Sequence, residues 1–197
     1  MEFNVEIVLP SGKKCRVEEL NNREYLSIIK FAQNNDLVGL SKLLDELFIE
    51  PDMNIFDRFY LLIYVRMLFI EGNIALNVED RQVEVQLSDI LNKLEANYVD
   101  LETKFEDSGI TITLDLPCIT YYEHIDELFI STIKSVSIDG AVVKFNTLNT
   151  EEQMQVIDNL PASIFTHIKK FVCIIQDTLF DVAIVDENSA IGIERMS

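Results

Sequence analysis

Two histidines, three cysteines and one glycine–lysine turn are the residues of this 197-residue chain whose types and spacing invite a chemical reading. His124 lies beside Glu123 and Asp126, a grouping that can hold a metal or pass a proton. The same grouping describes an exposed histidine at a helix start among carboxylates, and that reading is preferred. His167 stands next to Lys169 and Lys170 without an HxxxH or HExxH partner, so it reads as a helix-rim residue. Neither histidine forms a recognisable triad with a cysteine or serine. Cys15, Cys118 and Cys173 are far apart. Their odd number and the absence of CxxC argue against a disulfide framework or a zinc finger, and point to reduced thiols of a cytoplasmic protein. Pro10-Ser11-Gly12-Lys13-Lys14 has the glycine and lysine of a phosphate loop but not the GxxxxGK[ST] spacing, so a hairpin turn explains it better. Asp45-Glu46 and Asp126-Glu127 lack the spacing of a calcium loop, and GxSxG and GxGxxG do not occur. No catalytic residue, cofactor site or metal site is assigned.

Charge narrows the partners. Sixteen basic residues against 34 acidic ones leave a net charge of −18. Such a surface repels phosphate, which argues against nucleic acid and favours solubility and basic partners. The opening MEFNVEIVLPSG lacks the basic region and apolar run of a signal peptide.

The elements follow from hydrophobic period and punctuation. Phe3–Leu9 and Lys13–Val17 alternate as a hairpin around Pro10-Ser11-Gly12. Asn21, with Glu24 three positions later, opens a helix to about Gln33. Leu37–Phe48 is a second helix, with Leu40, Leu43, Leu44 and Leu47 on one face. Ile55–Ile70, capped by Asn54 or Asp52, is apolar around most of its circumference and must be buried on most sides. Phe59 and Ile63, one turn apart, are expected at the centre of the fold. Asp57, Arg58 and Arg66 interrupt this helix, which is also too short to span a bilayer. Ile74–Val78 and Gln82–Leu87 pair as a second hairpin, and Ser88 caps a helix to about Asn97. Lys104–Gly109 is polar and turn-like, the weakest boundary in the chain. Ile110–Leu116 reads as a half-buried strand with Thr111, Thr113 and Asp115 outward. His124–Thr132 is helical, and Ser135–Asp139 pairs with Ala141–Phe145 around Asp139-Gly140. Thr150 caps a helix, and Pro161 opens another from Ala162 to about Ile175, with Ile164, Phe165, Ile168, Phe171, Val172 and Ile175 inward. Phe180–Val185 and Ala190–Ile193 form a terminal hairpin. The fold class is α+β: a helical core with several short antiparallel β-hairpins. It divides into 1–104 and 105–197, or forms one continuous domain.

The order of these elements carries a resemblance. VEIVLPSGKKCRV, then ELNNREYLSIIKFA, a variable helix and FDRFYLLIYVRMLFIEG, followed by EHIDELFISTIKSVSIDGAVVKFNTLNTEEQMQVIDNLPASIFTHIKKFV, resembles the baseplate hub protein family of T4-like contractile-tailed bacteriophages over most of residues 3–172. The resemblance implies a non-enzymatic hub component or hub assembly chaperone that acts by protein–protein binding in the host cytoplasm or in the virion tail baseplate. The implied partners are other baseplate or hub proteins, and a homo-oligomer is compatible with it. Some relatives end in a cysteine-rich zinc segment. This chain offers Cys173 alone followed by FDVAIVDENSAIGI, so no metal is carried over. Leu44, Leu47, Tyr60 and Tyr64 are the expected partner-binding residues, wherever they reach the surface. The alternative is a small-molecule-binding or enzymatic domain with a pocket beside the apolar helix 55–70.

Protein purified without chelator should therefore contain less than stoichiometric zinc by elemental analysis. One tightly held zinc per chain would restore the family's metal segment in altered form.

Overall fold

The computed structural model describes residues 4–34, 36–69, 72–78, 81–98, 100–119, 122, 124–186 and 189–190. They fall into two compact units, one within Met1–Tyr98 and Leu179–Glu194, the other within Val99–Thr178. The class is α+β, with helices interleaved among small antiparallel sheets.

The first unit opens with β1 (Asn4–Val8) and β2 (Lys14–Glu18), paired antiparallel with Ile7 opposite Cys15. Alternation puts Ile7, Leu9, Cys15 and Val17 in the core, while Lys14, Arg16 and Glu18 face water. Next come α1 (Asn22–Gln33) and α2 (Leu37–Phe48). Asn21 Oδ1 accepts from the amides of Arg23 and Glu24, and Glu24 Oε2 accepts from the Asn21 amide, so the expected capping box is formed. Asp36 caps α2 by accepting from the Gly39 amide at 2.8 Å. Gly39 marks a close approach: a Cβ there would lie 2.6 Å from the Phe31 ring and 2.7 Å from the Asp36 carboxylate.

The apolar helix is α3 (Ile55–Phe69). Asn54, of the two caps considered, accepts from the amides of Phe56 and Asp57. Its residues are all buried or half-buried, as an apolar circumference requires. Ile63 is buried, but Phe59 is half-buried, and Phe56 together with Leu61 holds the centre. Two charged side chains are also buried here. Asp57 is wholly inaccessible, and its carboxylate accepts from the Ser11 amide at 3.0 Å and the Ser11 hydroxyl at 2.7 Å. Arg58 donates to the carbonyls of Met53 and Pro51, with Asp45 Oδ1 3.6 Å away. The first hairpin's turn is thereby fastened to the first turn of α3, where a carboxylate is also favoured by the helix dipole.

β3 (Asn73–Val78) and β4 (Arg81–Gln86) form the second hairpin, and α4 (Leu87–Asn97) begins at the next residue. Ser88 is thus inside the helix. Gln86 occupies the N-cap without a side-chain hydrogen bond, because the strand runs straight into the helix. Leu87, Ile90, Leu91 and Leu94 are buried, and Phe56 meets Tyr98 edge to face at 5.8 Å.

The second unit is built on one sheet of β5 (Thr103–Asp107), β6 (Ile110–Leu114), β7 (Ile133–Ile138) and β8 (Ala141–Lys144), in that order and antiparallel throughout. Lys104–Asp107, expected to be turn-like, is strand; only Ser108-Gly109 turns. Ser108 and Gly109, like Asp139 and Gly140, have positive φ, the geometry of two-residue turns whose twist matches the flanking strands. β6 departs from half-burial because Ile112, Thr113 and Leu114 are all buried, so both faces are covered at its end. Between β6 and β7 the chain forms α5 (Ile125–Thr132).

After a 3-10 turn at Phe145–Thr147 come α6 (Thr150–Asp158) and α7 (Ala162–Ala183). Asn149, not Thr150, caps α6, in a reciprocal capping box with Glu152. Asparagine is preferred over threonine at this position, and Asn149 Oδ1 accepts from the Glu152 amide at 3.0 Å. Ile164, Ile168, Phe171, Val172 and Ile175 are buried as expected, but Phe165 is 45% exposed and stacks on Phe129 at 5.7 Å. Phe180–Ala183, expected as strand, continues α7, because no glycine or proline stops the helix after Ile175. The terminal hairpin starts later, with β9 (Ile184–Asp186) paired to β10 (Ser189–Ala190). Positions 191–193 of the expected strand, and Ile70 of the expected helix, lie outside the described residues.

Two measurements test this packing. Gly39→Ala should lower stability by about 1–3 kcal/mol in urea denaturation, since the methyl group must displace an aromatic ring and a cap; unchanged stability would show that Phe31 yields freely. Asp57→Ala should cost about 2–4 kcal/mol, because the Ser11 amide and hydroxyl lose their acceptor. A double-mutant cycle with Ser11→Ala should show coupling of about 1 kcal/mol or more; additive effects would mean that the two groups do not support one another.

Candidate functional site

In the first unit, the turn that superficially matched a phosphate loop already holds an anion of its own. Both the amide and the hydroxyl of Ser11 are bound by Asp57. Lys13 Nζ is turned to the carbonyl and carboxylate of Asp52, at 2.7 and 2.6 Å. The group that would cradle a phosphate is occupied in holding the fold.

The expected partner-binding residues differ in accessibility. Leu44 and Tyr60 are buried, so neither meets the condition of reaching the surface. The Tyr60 hydroxyl donates to Glu95 Oε1 at 2.7 Å, and burial together with that carboxylate pushes the phenol well above its usual range. Tyr64 is half-buried and stacks on Tyr60 at 6.3 Å. Leu47 is half-buried and lines a cleft of about 300 Å³ with Cys15, Arg16, Phe48 and Glu50. Cys15 itself is buried, and desolvation, helped by the charge of Glu50, raises its thiol above the ordinary value. That shift disfavours a nucleophilic thiolate.

In the second unit, His124 is exposed at the N-cap of α5, with Asp126 and Glu127 following in the first turn. His167 is half-buried and lies flat on Phe105, ring centres 4.0 Å apart. Among the described residues, no group of three His, Cys, Asp or Glu side chains is placed to hold a metal, and Cys15, Cys118 and Cys173 are free thiols. The polar contacts of this unit tie elements together. Lys134 bridges Glu102 at 2.5 Å and Asp115 at 3.1 Å, and Ser163 donates to Asp107.

A groove of about 350 Å³ lies between α6 and the sheet in this unit. Its apolar walls are Ile110, Val136, Ile138, Leu148, Val156 and Leu160, with Glu152 at its rim. On the same sheet face Ile138 and its neighbour Val143 are 50% and 43% exposed, and Val142, on the opposite face, is 68% exposed. Sequence reading missed these residues. IDGAVVKF announces a hairpin, but only the order of strands reveals that β8 lies outermost. No described helix is long and apolar enough to cross a membrane. Neither cavity described above is lined by residues of α3.

Among the described residues the arrangement consists of fold-forming polar contacts and a partly open apolar groove. No curated protein and no solved structure matches the chain. The family described as T4 bacteriophage base plate protein matches residues 1–185, nearly the whole length. This chain belongs to the T4 bacteriophage base plate protein family, whose members interact with other phage tail proteins.

Proposed function

We propose that the protein is a non-enzymatic component of the phage tail baseplate hub, or a chaperone of hub assembly, and acts by binding other baseplate proteins. The observation that carries this reading is the family match over residues 1–185. Exposed apolar side chains beside the groove support it, as does a net charge of −18 that steers basic partners and resists nonspecific association. Leu47 and Tyr64, both half-buried, are the members of the expected set available to a partner on the first unit. The protein would work in the host cytoplasm during assembly and, as a permanent hub part, in the virion baseplate.

The test is a phage lacking this gene, complemented in trans, with mass spectrometry of finished virions. Loss of infectivity and incomplete baseplates are expected without the protein. Its peptides in virions identify a hub component, and their absence identifies a chaperone. Leu47→Asp and Tyr64→Asp, verified as folded, should weaken association, because a carboxylate desolvated at an apolar contact is strongly unfavourable. His124→Ala should complement fully. Normal infectious particles without the protein would overturn the reading. So would loss of infectivity in folded His124→Ala while both aspartate variants stay active.

A further inference from the structure

The geometry points to β8 as a docking edge: we propose that an extended, net-basic segment of another baseplate protein adds a fifth strand beside β8 and lays its apolar side chains on the neighbouring groove. This rests on the reading of the protein as a baseplate binding component. Among the described residues nothing pairs with the outer side of β8, and all four of its residues are exposed. Its turn is the two-residue Asp139-Gly140, so Ile138 and Ala141 are the pair that exchange both backbone hydrogen bonds. The pattern alternates, and Val142 and Lys144 therefore turn their backbone groups outward. The Lys144 carbonyl accepts from Thr147 Oγ1 at 2.7 Å. That leaves the amide and carbonyl of Val142 and the amide of Lys144 as the edge offered to a partner.

The side chains fit the same occupant. Val143 stands opposite Val136, on the sheet face that carries the groove, where Ile138 is also half open. An added strand would place every second side chain on that face, so apolar residues there would extend the row Ile112, Val136, Val143. Charge selects the partner. Between Ser135 and Leu160 the charged residues are Asp139, Glu151, Glu152 and Asp158 against Lys144 alone. A second copy would set two such rims face to face in chains that each carry −18, and is disfavoured. The short length of β8 and its lysine restrain indiscriminate pairing, leaving a selective partner with compensating charge.

The experiment titrates the full-length protein, by fluorescence anisotropy, against overlapping synthetic peptides spanning the other tail proteins of the same phage. Net-basic peptides with alternating apolar residues should bind. Val142→Pro removes an outward amide and no bond to β7, and should weaken binding about tenfold or more; Val143→Asp should do the same at the groove. Leu26→Asp, at an exposed apolar position of the first unit, should bind like the parent chain. Circular dichroism confirms each fold, and if Val142→Pro does not fold, Val143→Asp decides. Absence of any binding peptide would overturn the proposal, as would equal binding by acidic peptides. Parent-like binding by the folded edge variants, or a self-association of the chain that Val142→Pro abolishes, would also overturn it. The gene-deletion assay is independent of these outcomes, so a protein required for baseplates whose β8 binds no peptide leaves the broader function standing and removes only this edge.

Discussion

A carboxylate with no access to water organises the first unit. Asp57 sits in the first turn of α3, capped by Asn54, and receives both polar hydrogens that Ser11 can offer. Burying an ionised group is costly unless its oxygens are satisfied, and here two donors and the helix terminus satisfy them. The consequence is geometric. The hairpin carrying Ile7, Leu9, Cys15 and Val17 is fixed in position and register against the helix whose entire circumference must be covered. Arg58, the next residue, draws the Pro51–Met53 carbonyls toward the same helix start. The most apolar element of the protein is thus positioned by two adjacent charges.

The second unit solves a different problem. A four-stranded sheet has two edges and two faces, and β7 gains its place by pairing on both sides, whereas β8 pairs on one. At the β5 end α7 lies against the sheet, where His167 stacks on Phe105. At the β8 end the apolar face stays partly open, where Ile138 and Val143 adjoin the groove. A face covered at one end and partly open at the other serves core formation at the first and leaves apolar surface accessible at the second.

Much of this was legible in the sequence where signals are local. The capping box of Asn21 and Glu24, the alternation of the first hairpin and the Asp139-Gly140 turn are short-range features, and each formed. The failures have physical reasons. Thr103–Asp107 carries a single large apolar residue, Phe105, so its strand character comes from pairing with β6. Phe180–Ala183 is rich enough in apolar residues to suit a strand, but helix propagation from Ile175 costs less than a new start. The buried pair of Asp57 and Arg58 was read as an interruption of an apolar helix, since residue type does not disclose a distant partner. The candidate site was the least legible, because lying outermost in a sheet is a property of strand order and not of any segment.

Among the described residues three junctions between a strand and an α-helix contain no connecting residue: β4 passes into α4 at Gln86–Leu87, α5 into β7 at Thr132–Ile133, and α7 into β9 at Ala183–Ile184. Each additional residue turns an α-helix by about 100°. One inserted residue at Gln86–Leu87 would swing Leu87, Ile90, Leu91 and Leu94 together away from the core they fill. An inserted residue is accommodated more easily in the turns, while these seams act as fixed reading frames of the architecture, in which strand and helix inherit one another's phase.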